Sequence, residues 1–234
     1  MTAAAGQQTW MGWPASDRAR DGWIDLTHRI SAETPRLAKF APPSIEQVAT
    51  MPEHPSSVTR LDMVCHTGTH LDAPCHFIPG APAADEIPLE RVHGPAVVAR
   101  ASVGAGGQVG VHELERSGAR PGDIVILDTG WWRSGGGDGD HPCLGEEAAR
   151  WLVARGVKLL ATDLPTPDLA ICRRPQGFDW PVHRLLLAHG VLIAENLTNL
   201  GALAPQVEAM LLPLPIAGSD GSPVRALARP IERA

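Results

Sequence analysis

Between positions 66 and 77 the chain reads His-Thr-Gly-Thr-His-Leu-Asp-Ala-Pro-Cys-His-Phe. Three imidazoles (His66, His70, His76) and one carboxylate (Asp72) therefore fall within eleven residues. Neutral imidazole nitrogen and carboxylate oxygen are the usual ligands of zinc and similar divalent ions. Gly68 permits a bend that a β-carbon would block, and Pro74 stops a helix from running through. The spacing is not the helical His-Glu-x-x-His of metalloproteases; it suits a strand end running into a shaped loop. One such histidine would read as a surface or hydrogen-bonded residue, but four metal-competent groups this close read as a metal site. His183 and Glu195 are further candidates. His183 sits on a short helix after Trp180-Pro181, and Glu195 closes the apolar run 191–194. Both fall where an element meets a loop, and a carboxylate ending an apolar strand is costly to bury unless paired or bound to a metal.

The elements that would hold these residues follow from hydrophobic pattern and punctuation. Residues 23–30 read as a first strand, and the Pro-rich stretch 31–56 as a long loop of the kind that is often functional. The alternation across 57–65 predicts a half-buried strand. Residues 79–88 are a connector and 96–103 another strand. Residues 111–117 are a short helix ending at Gly118. Pro121-Gly122-Asp123 turns into a buried strand over 124–127, and 131–140 is a Gly-rich loop. Residues 146–155 form a helix stopped by Gly156. A buried strand over 159–163, a second long loop over 165–181, a helix over 182–188 and a strand over 191–195 complete the pattern. The fold class is α/β with a mixed sheet. Residues 1–20 read as a loosely ordered tail, with Trp10 and Trp13 as packing candidates, and 21–234 as one domain.

Composition excludes several classes. A formal net charge of -6, with 20 basic residues in no long cluster, argues against nucleic acid or an anionic membrane as partner. No apolar run approaches the roughly 20 residues of a membrane span, and the first residues lack a signal-peptide pattern. Four cysteines without Cys-x-x-Cys spacing suit a reducing cytoplasm.

Residues 66–77 resemble the His-x-Gly-Thr-His-x-Asp-x-Pro-x-His-Phe signature of the cyclase family, which includes bacterial kynurenine formamidases and isatin hydrolases. Residues 183–197 and 218–225 resemble its second and C-terminal stretches, and 24–28 its first strand. The resemblance implies a swivelling β/β/α domain, usually dimeric, with the partner subunit helping to close the site. It implies His66, His70 and Asp72 as metal ligands, Asp72 bridging to a second ion held with His183 and Glu195, and His76 as general acid and base. The ion would be zinc or manganese, one or two per subunit. Residues 35–43 stand where kynurenine formamidases carry a Trp-Pro-Gly-Asp-like stretch, so a cyclic amide such as isatin is as plausible a substrate as N-formylkynurenine.

The expected reaction is hydrolysis of a small amide by metal-activated water, with His76 passing the proton to the leaving nitrogen. A metal-dependent cyclase or lactone hydrolase, and a non-catalytic metal or ligand-binding protein, are the alternatives. His28 is open between the site and the surface. His54, His93, His112 and His141 read as solvated, His189 as a helix C-terminal residue, and Cys65 as core. Trp131 and Trp132 are equally open to pocket lining and packing.

Overall fold

Strands that are apolar at every position must be covered on both faces, and four such runs set the architecture of this chain. The computed structural model describes residues 22–231; the expected tail, with Trp10 and Trp13, lies outside them. In chain order the elements are β1 (Ile24–Asp25), β2 (Ser44–Ala49), β3 (Val58–Asp62), β4 (His70–Asp72), β5 (His93–Arg100), β6 (Gln108–Val109), α1 (Val111–Glu115), β7 (Ile124–Asp128), β8 (Cys143–Leu144), α2 (Glu146–Arg155), β9 (Leu159–Thr162), α3 (Pro181–Ala188), β10 (Leu192–Glu195), β11 (Gln206–Pro213) and β12 (Gly221–Pro230).

The main sheet runs β1-β12-β11-β5-β7-β9-β10-β4, and β4 pairs again with β12. The sheet thus closes on itself into a barrel. β5, β7, β9 and β10 are parallel; the remaining pairings are antiparallel. The fold is α/β with a mixed sheet, as the sequence predicts. Because side chains alternate across a strand, each parallel strand feeds two cores. Val98, Ile124, Ile126, Leu159 and Ala194 join Leu71, Val207 and Ala226 inside the barrel. Val97, Val125, Leu127, Leu160 and Ile193 pack outward against Leu114 of α1, Leu152 of α2 and Val182 and Leu186 of α3.

β7, β9, β10 and α2 lie within a residue of their expected positions, whereas β5 begins and ends three residues earlier than expected and other segments differ further. The expected first strand shrinks to two residues. The expected loop over 31–56 contains β2, which pairs with β3 in a separate two-stranded sheet. β3 is exposed at every position rather than half-buried, so its alternation does not mark a core face. Cys65 is half-buried rather than core. His141 is buried, not solvated, and its Nδ1 lies 2.7 Å from the Pro142 carbonyl oxygen. His54, His93 and His112 are exposed as expected, and His189 caps the C-terminus of α3 as expected.

Candidate metal centre

β4 is three residues long and is clamped on both edges, which decides where its side chains go. Its register against β10 sets His70 opposite Glu195 and Asp72 opposite Ile193. Its register against β12 sets Asp72 opposite Gly221 and His70 opposite Pro223. Leu71 points into the barrel, so His70, Asp72 and Glu195 share the other face, on the same side as α3. Gly221 is needed there. A β-carbon on it would stand 2.7 Å from His66 Cε1 and 2.9 Å from the Leu71 carbonyl oxygen, closer than real contacts allow. The bend before β4 uses Gly68 at φ 67°, where glycine is unstrained. The Gly68 carbonyl lies 2.8 Å from His70 Nδ1 and fixes that ring.

The six expected site residues come together around one cavity of about 240 Å³. His70 Nε2 lies 3.5 Å from Asp72 Oδ1 and 3.3 Å from Glu195 Oε2. His183 Nε2 lies 3.3 Å from Asp72 Oδ2 and 3.2 Å from Glu195 Oε1. His66 Nδ1 lies 2.8 Å from Asp72 Oδ1, and the His66 and His76 rings stack at 4.0 Å. Two groups of ligand atoms lie close enough to share an ion: His70, Asp72 and Glu195, and separately His66, Asp72 and His76. Asp72 belongs to both, whereas the resemblance grouped His66 with His70.

Two carboxylates absent from the expected set hold these rings from behind. Asp168 accepts the backbone N–H groups of Val182 and His183, each at 3.0 Å, and faces His183 Nδ1 at 2.6 Å. It therefore caps the first turn of α3 and orients a ring on that same turn. Asp220 Oδ2 lies 3.0 Å from His66 Nε2 and 3.1 Å from His76 Nδ1. Asp168 lies in the loop between β9 and α3 and Asp220 in the turn before β12. The sequence offers one weak signal, that Asp220 falls in the segment resembling the family's C-terminal stretch.

The buried groups fit a cation. A carbonyl can only accept, so His70 Nδ1 carries the proton donated to Gly68, and its Nε2 lone pair faces carboxylate oxygens. Among the described residues, Asp72 Oδ2, Glu195 Oε1 and His66 Nε2 are buried and make only ion-pair contacts that lack hydrogen-bond alignment, a costly arrangement unless a positive charge sits among them. The titration behaviour agrees. Burial opposes charge on His66, but the hydrogen bond to Asp72 and the charges of Asp72 and Asp220 lift its pKa to about 9. Burial likewise opposes charge on His183, yet Asp168, Asp72 and Glu195 raise it well above the usual value. Burial would raise Asp72, but His183, His66 and His70 hold it well below the carboxylate range. His76 differs: burial dominates and lowers its pKa.

Residues 24–169, more than half of the chain, match the family model described as "Putative cyclase". The chain belongs to the cyclase family. Among relatives of this chain, a kynurenine formamidase from Geobacillus thermodenitrificans is 31% identical over 209 residues, covering 88% of this chain and 97% of that protein. A kynurenine formamidase from Bordetella petrii is 30% identical over 214 residues, covering 88% and 96%. Among solved structures, isatin hydrolase A from Ralstonia solanacearum superposes with a TM-score of 0.77 at 29% identity, covering 88% of this chain and 90% of that one. Isatin hydrolase A from Labrenzia aggregata bound to benzyl benzoate gives 0.78 at 25%, covering 90% and 94%.

Other groups of the chain lie elsewhere. His28 and Trp132, rings 4.6 Å apart, line a separate cavity of about 600 Å³ with Arg100 and Arg133. Trp131 packs, its indole N–H donating to the Gly137 carbonyl.

Proposed function

We propose that the protein is a metal-dependent hydrolase that cleaves the C–N bond of a small linear or cyclic amide, N-formylkynurenine-like or isatin-like. His66, His70, Asp72, His183 and Glu195 would hold one or two zinc or manganese ions. The observation that carries this reading is ring polarity. His70 and His183 direct Nδ1 outward, to Gly68 and Asp168, and so turn Nε2 toward the oxygens of Asp72 and Glu195. A divalent cation satisfies the oxygens of Asp72 and Glu195 that gather with these rings in a buried place. Asp72, common to both ligand groups, would be the shared ligand of a two-ion arrangement. The named activities of the formamidase and isatin hydrolase relatives point to an amide.

A bound divalent ion supplies Lewis acidity, lowering the pKa of water toward 7 and drawing charge from a carbonyl oxygen. The remaining work falls to side chains. Asp220 holds His76 through Nδ1, which leaves Nε2 as the atom that exchanges protons. His76 takes a proton from the attacking water and delivers it to the departing nitrogen. Burial of its ring lowers the pKa and keeps it neutral, able to accept, at pH 7. Phe40, Phe77 and Trp180 line the cavity and pack the apolar part of the substrate while excluding water.

The working unit is a homodimer. The β2–β3 hairpin carries Ile45 and Leu61 directly opposite each other and half-exposed, at 50% each, with Val58 at 47%. A two-stranded hairpin this apolar is marginal alone, and a second copy of the chain is the occupant proposed to cover it. The four cysteines are free, which suits a cytoplasmic setting.

The test is elemental analysis with a substrate panel of formanilide, N-formylkynurenine, isatin and lactones, run on chelated and reconstituted protein. Turnover of an amide should vanish on chelation and return with zinc or manganese. Turnover of lactones alone would favour the lactone-hydrolase reading. Full activity in a metal-free sample would overturn the proposal.

A further inference from the structure

The cavity over the ligand cluster has a feature that hydrolysis alone does not call for. Its wall includes Arg174 and Lys39 besides Phe40, Phe77 and Trp180. Arg174 is half-buried and held in place. Its Nε donates to the Leu169 carbonyl at 2.8 Å, and its guanidinium carbon lies 5.2 Å from the ring centroids of both Phe178 and Trp180. Rings at that distance stabilise and orient a guanidinium. Yet among the described residues no carboxylate pairs with Arg174 and neither of its terminal amino groups has a hydrogen bond. The neighbouring Arg173 instead makes a two-point contact with Asp140, and Arg100, Arg133, Arg225 and Arg229 are each paired with an acid.

Burial pulls the Arg174 pKa down, against the attraction of Asp168 and Glu195. The side chain therefore bears a desolvation cost without a partner in contact. A planar fork with both amino groups free matches a carboxylate at two points. Lys39, whose Nζ lies 4.9 Å from the Phe40 ring centroid, adds a second positive charge at the same cavity. Asp72 and Glu195, which line the same cavity, would repel an anion unless they carried the ion proposed above.

Resting on the metal-hydrolase reading, we propose that Arg174 binds a carboxylate of the substrate, and that the enzyme prefers aromatic amides that carry a free carboxylate over neutral amides. The amide would reach the ligand cluster, the ring would lie against Phe40, Phe77 and Trp180, and the carboxylate would meet Arg174.

The experiment compares the metal-loaded enzyme and its Arg174→Gln and Arg174→Lys variants on formanilide and on the 2-, 3- and 4-formamidobenzoates. Metal content and unfolding curves are recorded for each protein. The parent should favour at least one formamidobenzoate. Arg174→Gln should reduce that preference, the ratio of kcat/KM values, by about ten- to a hundredfold, chiefly through KM. Arg174→Lys, which keeps charge but loses the fork, should fall between and serves as the reading if Arg174→Gln does not fold. Binding of benzoate against benzamide, followed by tryptophan fluorescence, should show the same dependence on Arg174. A parent without preference, or a preference that survives Arg174→Gln because the ion itself holds the carboxylate, overturns the role of Arg174 while leaving the hydrolase intact. Failure of the metal-loaded parent to cleave any amide in either series overturns the hydrolase reading instead.

Discussion

Replacing Asp168 by Asn tests whether the proposed metal centre depends on the groups behind its ligands. Asp168 is buried, and three donors converge on its two oxygens: the N–H groups of Val182 and His183 and the His183 ring. Asparagine preserves the shape but turns one oxygen into an amino group. Whichever way the amide is set, at least one donor of the first turn of α3 then faces another donor. The contact to the ring also loses its charge. A hydrogen bond to a charged group contributes about 1.5–3 kcal/mol and a neutral one about 0.5–1.5 kcal/mol, so the ring is held less firmly by about 1 kcal/mol. Loss of a helix cap costs about a further 1 kcal/mol. Changes of this kind weaken metal binding by about 10–100-fold, or about 1.4–2.8 kcal/mol. Zinc affinity is measured by competition with a chromophoric chelator at fixed pH and salt, and the cap separately by urea unfolding in excess chelator. An unchanged zinc dissociation constant, within about twofold, in a variant whose metal-free stability has dropped would refute the reasoning: Asp168 would cap α3 without serving the ion.

Three further outcomes are expected. His76→Ala should keep its metal and lose about 10²–10⁴-fold in turnover; loss of metal with it, by elemental analysis, would make His76 a ligand of the His66–Asp72 group rather than the proton carrier. Gly221→Ala should destabilise the protein by about 1–3 kcal/mol and reduce its metal content, because the new methyl meets the Leu71 carbonyl and the His66 ring; an unchanged urea midpoint would count against the close approach of β12 to β4. Ile45→Lys combined with Leu61→Glu should shift the protein toward monomer in sedimentation velocity, and a dimer of unaltered strength would remove the hairpin from the interface.

Local order in the chain made part of this protein readable. Residues 124–127, 159–161 and 191–194 are short unbroken apolar runs, which a strand shows when both faces are covered, and they fall in β7, β9 and β10. The 146–155 helix appeared with its expected bounds because its acidic first turn, apolar side and glycine stop agree. β11 and β12 were not legible. They contain Pro213, Pro223 and Pro230, and proline removes a ladder hydrogen bond and ordinarily argues against an interior strand. Pairing along β11, β4 and β1 outweighs that loss. β3 misled in the opposite sense, since a side chain can alternate without either face finding a core.

The candidate metal centre divides along the same line. Its donor types and close spacing, His66, His70, Asp72 and His76, are local facts of the chain, and their chemistry follows from composition over eleven residues. Which lone pairs face one another is decided elsewhere: by the antiparallel register that sets Glu195 beside His70, by α3 lying on the same sheet face, and by Asp168 and Asp220 arriving from separate loops. A sequence can state which atoms are able to bind an ion. Whether they converge depends on strand register and helix packing, because those alone set distances between residues far apart in the chain.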